Sequence, residues 1–599
     1  MVDTRAISAT LTAFSLLFYS MAAPNLASGA SSYSAARMPV PQNRSATNAA
    51  DSRCDQLADS PDDPAKIGNG VPIDQINVAE ALPVCEQAAR RLPPRPRYQY
   101  AYGRVLAAAN RYTDAARQYS AADQGGCTLA SNNLGLLYQQ GNGVPQDYAE
   151  AARLYGKSAK AGNPRAFFNL GNLYLQGLGV TQDNQQAVNL YFRAGEAGYA
   201  EGYANLGAVY ARTTPPNYPE AAKWVQKAVQ GGSPFGDYLL GWLYEHGKGV
   251  AKNDSLAMKW YTAAANAGEP NAMYRVGVML ENGQGVQQDF AGAARWFYKA
   301  GWQGHASAQA ELAYLCYTGQ GVSKNYEVAY SWFVPAAQAG LAVAQNSLGS
   351  MYENGEGVAQ SDSQAVAWFR KAAEQNDVFG MDQLAMHLRL GVGVAWNERE
   401  AMQWFQRAAD LGYAPSQESL GYGYIKGLGG GTQDYQQAAY WTTKAARQGN
   451  AQALINLGLL YQNGWGVDQD LRRARELFLS ASNSPIPEVA DSARNLAARV
   501  PELSNEPTPS PTDKTSDWVP FVAVGVVAVG LLALFSNSSR DDSSSHPSGS
   551  SSGVGPSSGV NWPTTKTTPP PPPRLTPHYP NNPTKSVNGD LSDPTLIWH

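Results

Sequence analysis

The sequence is poor in the residues that build metal centres and catalytic sites. Its 599 residues include only four cysteines and six histidines. The histidines are scattered, and no two have the spacing of a metal-binding motif. No arrangement of nucleophile, acid and base is recognisable either. The sequence therefore predicts no catalytic residues, no metal, no cofactor and no enzyme.

Charge is also scarce. Charged residues make up 16% of the chain, and the formal net charge is −4. A protein that binds nucleic acid needs a basic surface to face the phosphates, so this composition argues against a nucleic-acid partner. Hydrophobic residues, in contrast, make up 43% of the chain.

A repeated unit organises most of the chain. A leading Leu or Val returns every 34–37 residues, at Leu134, Leu170, Leu206, Leu240, Val276, Leu312, Leu348, Leu384, Leu420 and Leu457. A fixed period of this length indicates stacked supersecondary units and not separate globular domains. The next residue is Gly in eight units and Ala in two. Because Gly inside a helix costs about 1 kcal/mol relative to Ala, its recurrence predicts two closely crossing helices.

Each unit predicts a first helix, a turn and a second helix. Gly-x-Gly follows the first helix in nine of ten units, as at Gly177 and Gly179. These glycines suit a left-handed helix end and a tight turn. An Asp, Asn or Ser then provides an N-cap for the second helix, and Ala follows four residues later in every unit. Seven residues beyond the cap, Trp occurs in seven units, and we predict that this column packs in the core.

This pattern resembles the Sel1-like repeat family, a relative of the tetratricopeptide repeats, over about residues 130–485. The resemblance implies an α-solenoid, and the periodicity of the helix pairs leads to the same fold independently. The family also implies an adaptor, a scaffold or an envelope regulator. We therefore predict an all-α protein with about ten helix-turn-helix repeats of 36 residues and a C-terminal single transmembrane helix.

The chain before the repeats divides into three predicted segments. Residues 1–30 have an early Arg5, an apolar run from 7 to 23 and small residues near it, which predicts a signal peptide. An uncleaved N-terminal anchor is the alternative. Residues 31–53 predict a flexible segment, and residues 54–129 predict a degenerate helical cap.

The two cysteines of the cap, Cys54 and Cys85, predict a disulfide in an oxidising compartment. Two unrelated free thiols are the alternative.

The chain after the repeats divides into four predicted segments. Residues 486–500 predict a capping helix and residues 501–516 a linker. Residues 518–535 carry no charge and would extend about 27 Å as a helix, which predicts a membrane span. Residues 541–599 are rich in Ser, Gly and Pro and predict a disordered tail.

Two kinds of partner are consistent with this organisation. Asn133, Asn169, Asn205 and Asn456 each precede a leading Leu, and their side chains are candidates for binding an extended peptide backbone. Local bonds between adjacent repeats are the alternative role. A polysaccharide or peptidoglycan is the alternative partner, and it would require exposed aromatic rings outside the core. The tryptophans to examine for it are Trp242, Trp302, Trp396 and Trp465.

The sequence thus predicts a scaffold or adaptor in a bacterial cell envelope that binds a protein partner through its solenoid. If the signal peptide is cleaved, the repeats are exported to the periplasmic side and the tail is cytoplasmic.

Overall fold

A computed structural model describes residues 49–61, 70–91 and 93–500. The predicted signal peptide, linker, membrane span at 518–535 and tail lie outside these residues. None of the helices within the described ranges is both long enough and apolar enough to cross a bilayer.

The described ranges contain 25 α-helices, two short 3-10 helices at Ile73–Gln75 and Leu428–Gly430, and no β-strand. This confirms an all-helical solenoid of stacked helix pairs. In chain order the helices are α1 Ala49–Ala58, α2 Val78–Ala89, α3 Pro96–Ala108, α4 Tyr112–Gln124, α5 Thr128–Gln140, α6 Tyr148–Lys160, α7 Pro164–Gln176, α8 Asn184–Glu196, α9 Ala200–Ala211, α10 Tyr218–Gln230, α11 Pro234–His246, α12 Asp254–Asn266, α13 Pro270–Asn282, α14 Phe290–Trp302, α15 Ala306–Thr318, α16 Tyr326–Gln338, α17 Ala342–Asn354, α18 Asp362–Glu374, α19 Val378–Leu390, α20 Glu398–Asp410, α21 Ala414–Lys426, α22 Tyr435–Arg447, α23 Ala451–Asn463, α24 Leu471–Ala481 and α25 Pro487–Arg499.

The helices begin and end at the predicted local signals. In all ten repeats the N-cap side chain of the second helix accepts a hydrogen bond from a backbone N–H two or three residues later. Asp147, for example, accepts from the N–H groups of Ala149 at 2.9 Å and Glu150 at 3.0 Å. Nine first helices end at a left-handed Gly, such as Gly177 with φ of 70°. Only Gly adopts this conformation without strain.

A small residue on the first helix faces a large side chain on the second helix of the same repeat. A Cβ atom added at Gly349 would lie 2.5 Å from Cε1 of Phe369, and one added at Gly171 would lie 2.9 Å from Cε1 of Tyr191. Both rings are fully buried. The recurring Gly therefore allows the close helix approach that the sequence predicted.

The prediction that the tryptophan column packs in the core is correct for Trp332 and Trp441, which are buried, and is corrected for the other five tryptophans. The fully buried ring follows the tryptophan by one position, as Phe369 follows Trp368. Five of the seven column tryptophans are only half-buried. A cation covers the ring instead, because Nζ of Lys371 lies 3.8 Å from the ring centre of Trp368. Successive helical side chains point about 100° apart, so one position separates the core face from the flank.

The cap begins earlier than predicted. Residues 49–53 were assigned to a flexible segment, but they form the start of α1. Two features hold this helix in place. Cys54 and Cys85 form a disulfide in the structure. The carboxylate of Asp51, whose side chain is fully buried, lies 2.9 Å from Nη1 of Arg91 and 3.1 Å from Nη1 of Arg95. Long-range contacts thus order a segment whose composition alone favours flexibility.

The described residues belong to two compact units, 49–288 and 289–500. In the first unit, a single apolar core runs from Cys54 to Leu154, so the cap packs directly onto the first repeat. In the second unit, α25 packs Ala493 and Ala497 against Phe478 of α24. The chain end of the solenoid is therefore covered by a helix outside the repeat pattern.

Candidate functional site

The asparagines predicted to bind a partner lie on first helices, and their side chains form hydrogen bonds within the chain. Nδ2 of Asn169 donates to Oδ1 of Asn132 on the preceding first helix at 3.0 Å. Nδ2 of Asn456 donates to Oε1 of Glu418 on the preceding first helix at 2.9 Å. Both bonds join adjacent repeats, which is the local alternative.

The other two asparagines also bond inside the solenoid. Nδ2 of Asn133 donates to the hydroxyl of Tyr119 at 3.4 Å. Asn205 is 1% exposed, and its Nδ2 donates to the carbonyl oxygen of Glu201 one turn earlier in α9 at 3.1 Å. An extended peptide needs accessible amides along its path. Asn205 and Asn456 are buried and Asn133 and Asn169 are half-buried, and the role of the four in binding a partner stays a prediction.

Two acidic side chains lie on neighbouring first helices in the second unit. Oδ1 of Asp382 on α19 accepts a hydrogen bond from Oγ of Ser416 on α21 at 2.6 Å. Burial raises the pKa of Asp382 to about 6, and the bond from Ser416 opposes this rise. Burial also raises the pKa of Glu418 on α21 to about 7, with a further rise from the charge of Asp382 and opposition from Arg389. Both groups lie between repeats, where they link helices.

The four tryptophans considered for glycan binding differ in exposure. Trp242 is buried, and Trp465 is half-buried and stacks on Tyr435 with ring centres 5.2 Å apart. Trp302 and Trp396 are exposed, at 42% and 67%. The exposed pair belongs to the fifth and eighth repeats. The set therefore does not form a row of exposed rings.

Metal ligands and reactive thiols are not gathered into a site. Among the described residues, no group of three or more His, Cys, Asp and Glu side chains is placed to hold a metal ion. Cys316 is buried, and burial raises the pKa of its thiol to about 11. A thiol with a raised pKa forms little thiolate at neutral pH, so it is a poor nucleophile.

A concave feature is present between the first and second repeats, a cleft of about 430 Å³ that we call the repeat 1–2 cleft. It is bordered by α6, α7, α8 and the turn that follows α7. Its lining residues are Ala149, Ala152, Arg153, Gly156, Ala159, Lys160, Phe167, Leu170, Tyr174, Gly179, Val180, Leu190 and Arg193. This volume lies within the usual range of ligand pockets, about 300–1,000 Å³.

The repeat 1–2 cleft exists because two large side chains are missing. At the next junction, Phe192 of repeat 2 packs edge-on against Trp224 of repeat 3, with ring centres 5.8 Å apart. Gly156 and Leu190 occupy the corresponding positions at the first junction. A Cβ atom added at Gly156 would meet no atom within 4 Å. The ring pair that fills the next junction is thus replaced by open space.

The leading residue of the second repeat is more exposed than those of the other repeats. Leu170 lines the cleft and is half-buried, whereas the leading residues of the nine other repeats are all buried. Phe167 and Leu190, which are buried, complete an apolar floor. An apolar floor that is partly accessible to solvent is typical of a binding site.

The rim of the cleft is basic. Arg153 pairs with Glu150, with Nη2 and Oε1 2.6 Å apart. Arg193 lies over the ring of Phe167, with Cζ 4.2 Å from the ring centre. Within the described ranges, neither Lys160 nor Arg193 forms an ion pair. Residues 148–196 contain five Lys and Arg but three Asp and Glu, in a chain of net charge −4. The cleft therefore favours a ligand with negative charge.

Sequence reasoning missed this site, although a signal was present. The tryptophan column is interrupted in three units, and Leu190 is one of the interruptions. Gly156 likewise stands where most other repeats have a larger side chain. Departures from a repeat consensus mark positions where packing between units changes, and here two departures meet across one junction.

Comparison with known proteins agrees with the architecture. The sequence profile of the Sel1 repeat matches residues 128–163, 164–199, 200–233, 234–269, 270–305, 306–341, 342–377, 378–413, 414–450 and 451–484. A comparison with curated protein sequences finds no match.

Solved structures provide relatives. The crystal structure of c5321, a protective antigen present in uropathogenic Escherichia coli strains that displays an SLR fold, is 32% identical, with a TM-score of 0.53. That similarity covers 71% of this chain and 91% of c5321. A Sel1 repeat protein from Oxalobacter formigenes is 29% identical, covers 54% of this chain and 93% of its own, and has a TM-score of 0.41. The ten matched repeats span more than half of the sequence, and the chain therefore belongs to the Sel1 repeat family.

Proposed function

We propose that this protein is a membrane-tethered envelope scaffold that binds a protein partner through its repeat solenoid. Sel1 repeat proteins generally mediate protein–protein interactions, and their fold is typically a non-catalytic scaffold. The observation that carries the proposal for this chain is the repeat 1–2 cleft, because it combines a partly accessible apolar floor with a basic rim.

The envelope location rests on sequence features and on one relative. Residues 1–30 have the pattern of an export signal, and residues 518–535 are long and apolar enough to form a membrane anchor. The similar protein c5321 is a protective antigen present in uropathogenic Escherichia coli strains. These features support exported repeats, a single membrane span and a cytoplasmic tail.

Photo-crosslinking in intact cells tests this proposal. A photoreactive phenylalanine analogue at Ala149, which is exposed on the cleft, should form an adduct with another protein. The same analogue at Ile73, an exposed residue of the cap, is the matched control and should not form that adduct. Identical adducts at both positions, or no protein adduct from any of several exposed repeat positions, would contradict a specific protein partner.

The same method examines the glycan alternative. Trp396 is the most exposed of the four tryptophans considered for glycan binding. It lies in the turn after α19, close in sequence to exposed Leu390 and Val392. Placing the analogue at Trp396 should give no adduct that contains sugar if the protein partner is correct. An abundant protease-resistant glycan adduct from this position would favour the polysaccharide or peptidoglycan alternative.

A further inference from the structure

We propose that the repeat 1–2 cleft binds a partner peptide that carries one large aromatic or aliphatic side chain flanked by carboxylates. This inference rests on the proposed function and specifies its surface and the chemistry of the ligand. The apolar side chain would occupy the space left by Gly156 and Leu190. The carboxylates would lie against Arg153, Lys160 and Arg193 at the rim.

The size of the cleft and its apolar floor indicate that the ligand carries a large apolar side chain. The equivalent space at the following junction is filled by the rings of Phe192 and Trp224. At the first junction, buried Phe167 and half-buried Leu170 provide the apolar surface that a ring would contact. Transfer of a large apolar side chain from water to such a surface is favourable by itself. The ligand group would therefore take the place of the two rings that are missing at the first junction, at Gly156 and Leu190.

The positive charges of the rim indicate that the groups flanking this side chain in the ligand are carboxylates. Arg193 lies over the ring of Phe167, so its guanidinium stands beside the apolar floor. Lys160 lies at the C-terminal end of α6, on the same rim. The only acidic side chain that pairs with the rim cations among the described residues is Glu150, which contacts Arg153. Carboxylates of a ligand would complete these interactions through charge-assisted hydrogen bonds.

A defined peptide provides the probe. A fluorescent, N-acetylated peptide of sequence Glu-Glu-Trp-Glu-Glu should bind the full-length protein purified in detergent. Two comparison peptides separate the contributions: one has Ala in place of Trp, and the other has Lys in place of Glu. Both should bind at least about 10-fold more weakly, because each lacks one of the two recognised features.

Variants of Gly156 test whether the peptide occupies the cleft. Gly156→Phe introduces the ring that Phe192 supplies at the next junction, and open space surrounds its Cβ position. It should weaken binding of the probe at least about 30-fold without lowering the melting temperature. Gly156→Ala fills almost none of the cleft, so it should bind within about twofold of the unchanged protein. Lys160→Gln combined with Arg193→Gln should weaken binding about 5- to 10-fold at low salt and reduce its salt dependence.

Several results would overturn the proposal. They are failure of the unchanged protein to bind the probe at millimolar concentration, equal binding by Gly156→Phe, and equal binding of the lysine peptide. A dimer that Gly156→Phe dissociates, without probe binding, would assign the cleft to a second copy of this chain and also overturn it.

Comparison with the crosslinking experiment separates the two proposals. Protein adducts that persist at other positions in Gly156→Phe cells would retain the scaffold function and remove this ligand. Specific peptide binding without any adduct in cells would retain the cleft and remove the envelope role.

Discussion

Individual glycines differ in what their missing side chain allows. Gly349 faces the buried ring of Phe369, whereas Gly156 faces open space, although both lie inside helices. The position of Gly349 takes nothing larger than Ala in any of the ten repeats. The same residue type thus permits close packing at one site and leaves a cleft at another.

Replacing these two glycines by leucine should have opposite consequences. Gly349→Leu should lower the free energy of unfolding by about 3 kcal/mol, because its side chain would overlap Phe369 in a packed core. Gly156→Leu should leave stability unchanged or raise it by up to about 1 kcal/mol, because Leu is a better helix former. Urea unfolding followed by circular dichroism measures both. Equal effects of the two changes would contradict this reading of the helix contacts.

The disulfide of the cap gives a second prediction at the residue scale. Cys54 and Cys85 are 31 positions apart in the sequence. In the chain-entropy model a bond closing a loop of this length stabilises by about 3–4 kcal/mol. Mass spectrometry of the unreduced, exported protein should detect the linked peptides, and Cys54→Ser with Cys85→Ser should lower the melting temperature of the cap. Detection of both cysteines as free thiols would contradict the bond.

Five of the ten repeats share a side-chain hydrogen bond in the turn between their two helices, and the eighth repeat is among those without it. In five repeats a Gln lies two residues after the Val that directly follows Gly-x-Gly. Its Nε2 donates to the carbonyl oxygen of the residue seven positions earlier. The bonded pairs are Gln146 with Gln139, Gln182 with Leu175, Gln288 with Glu281, Gln360 with Glu353 and Gln469 with Gln462. Trp396 occupies this position in the eighth repeat and is exposed. In the turn after α19, an exposed indole therefore stands in place of the Gln that forms this hydrogen bond in five other repeats.

Introducing this hydrogen bond should stabilise the turn after α19. Trp396→Gln should raise the free energy of unfolding by about 0.5–1.5 kcal/mol, because the new amide can donate to the carbonyl oxygen of Arg389. Gln360→Trp in the neighbouring repeat is the matched reverse change and should cost a similar amount. Chemical denaturation of both variants provides the measurement. A loss of stability in Trp396→Gln would show that the indole itself holds the turn.

The contact between α19 and α21 should depend on pH. Burial raises the pKa of Asp382 from 3.8 to about 6, so the folded protein binds this proton more tightly than the unfolded chain. The contribution of this tighter proton binding to the free energy of unfolding is fully present below about pH 4. It is lost as the pH rises through about 6. The free energy of unfolding should therefore fall by about 2–3 kcal/mol between these limits from this group alone.

Asp382→Asn isolates this contribution. The amide oxygen of Asn still accepts from Ser416 but does not titrate, so the pH dependence between about 4 and 7 should become shallower. Urea midpoints measured across this range compare the two proteins. Glu418→Gln is the parallel variant for the carboxyl with a pKa of about 7. An unchanged pH profile in Asp382→Asn would exclude this residue as the source.

At the scale of the whole molecule, the proposed membrane topology rests on two apolar segments of the sequence, both outside the described residues. A reporter that is active only after export should be active when fused near Pro501 and inactive when fused after His599. The physical reason is that, if the proposed signal at 1–30 is cleaved, the proposed span at 518–535 separates the two fusion points across the membrane. The opposite pattern of activity would contradict exported repeats.

Local physics made much of this protein predictable from its sequence. The number of repeats, the N-caps from Asp147 onward and the left-handed glycines such as Gly177 all depend on residues within a few positions of each other. Helical periodicity also identified the small residues that let helices cross, because it relates positions on one face of one helix. The family, the all-helical fold and the approximate limits of the array followed from these features.

Tertiary structure decided which of these positions meet across repeats. It placed Phe369 against Gly349, left Trp368 half-buried, and turned Asn169 and Asn456 toward neighbouring helices. It also opened the repeat 1–2 cleft, because Gly156 and Leu190 are 34 positions apart and matter only where they face each other. Side-chain contacts and burial between distant segments set these outcomes, and a periodic pattern contains no measure of the distance between them.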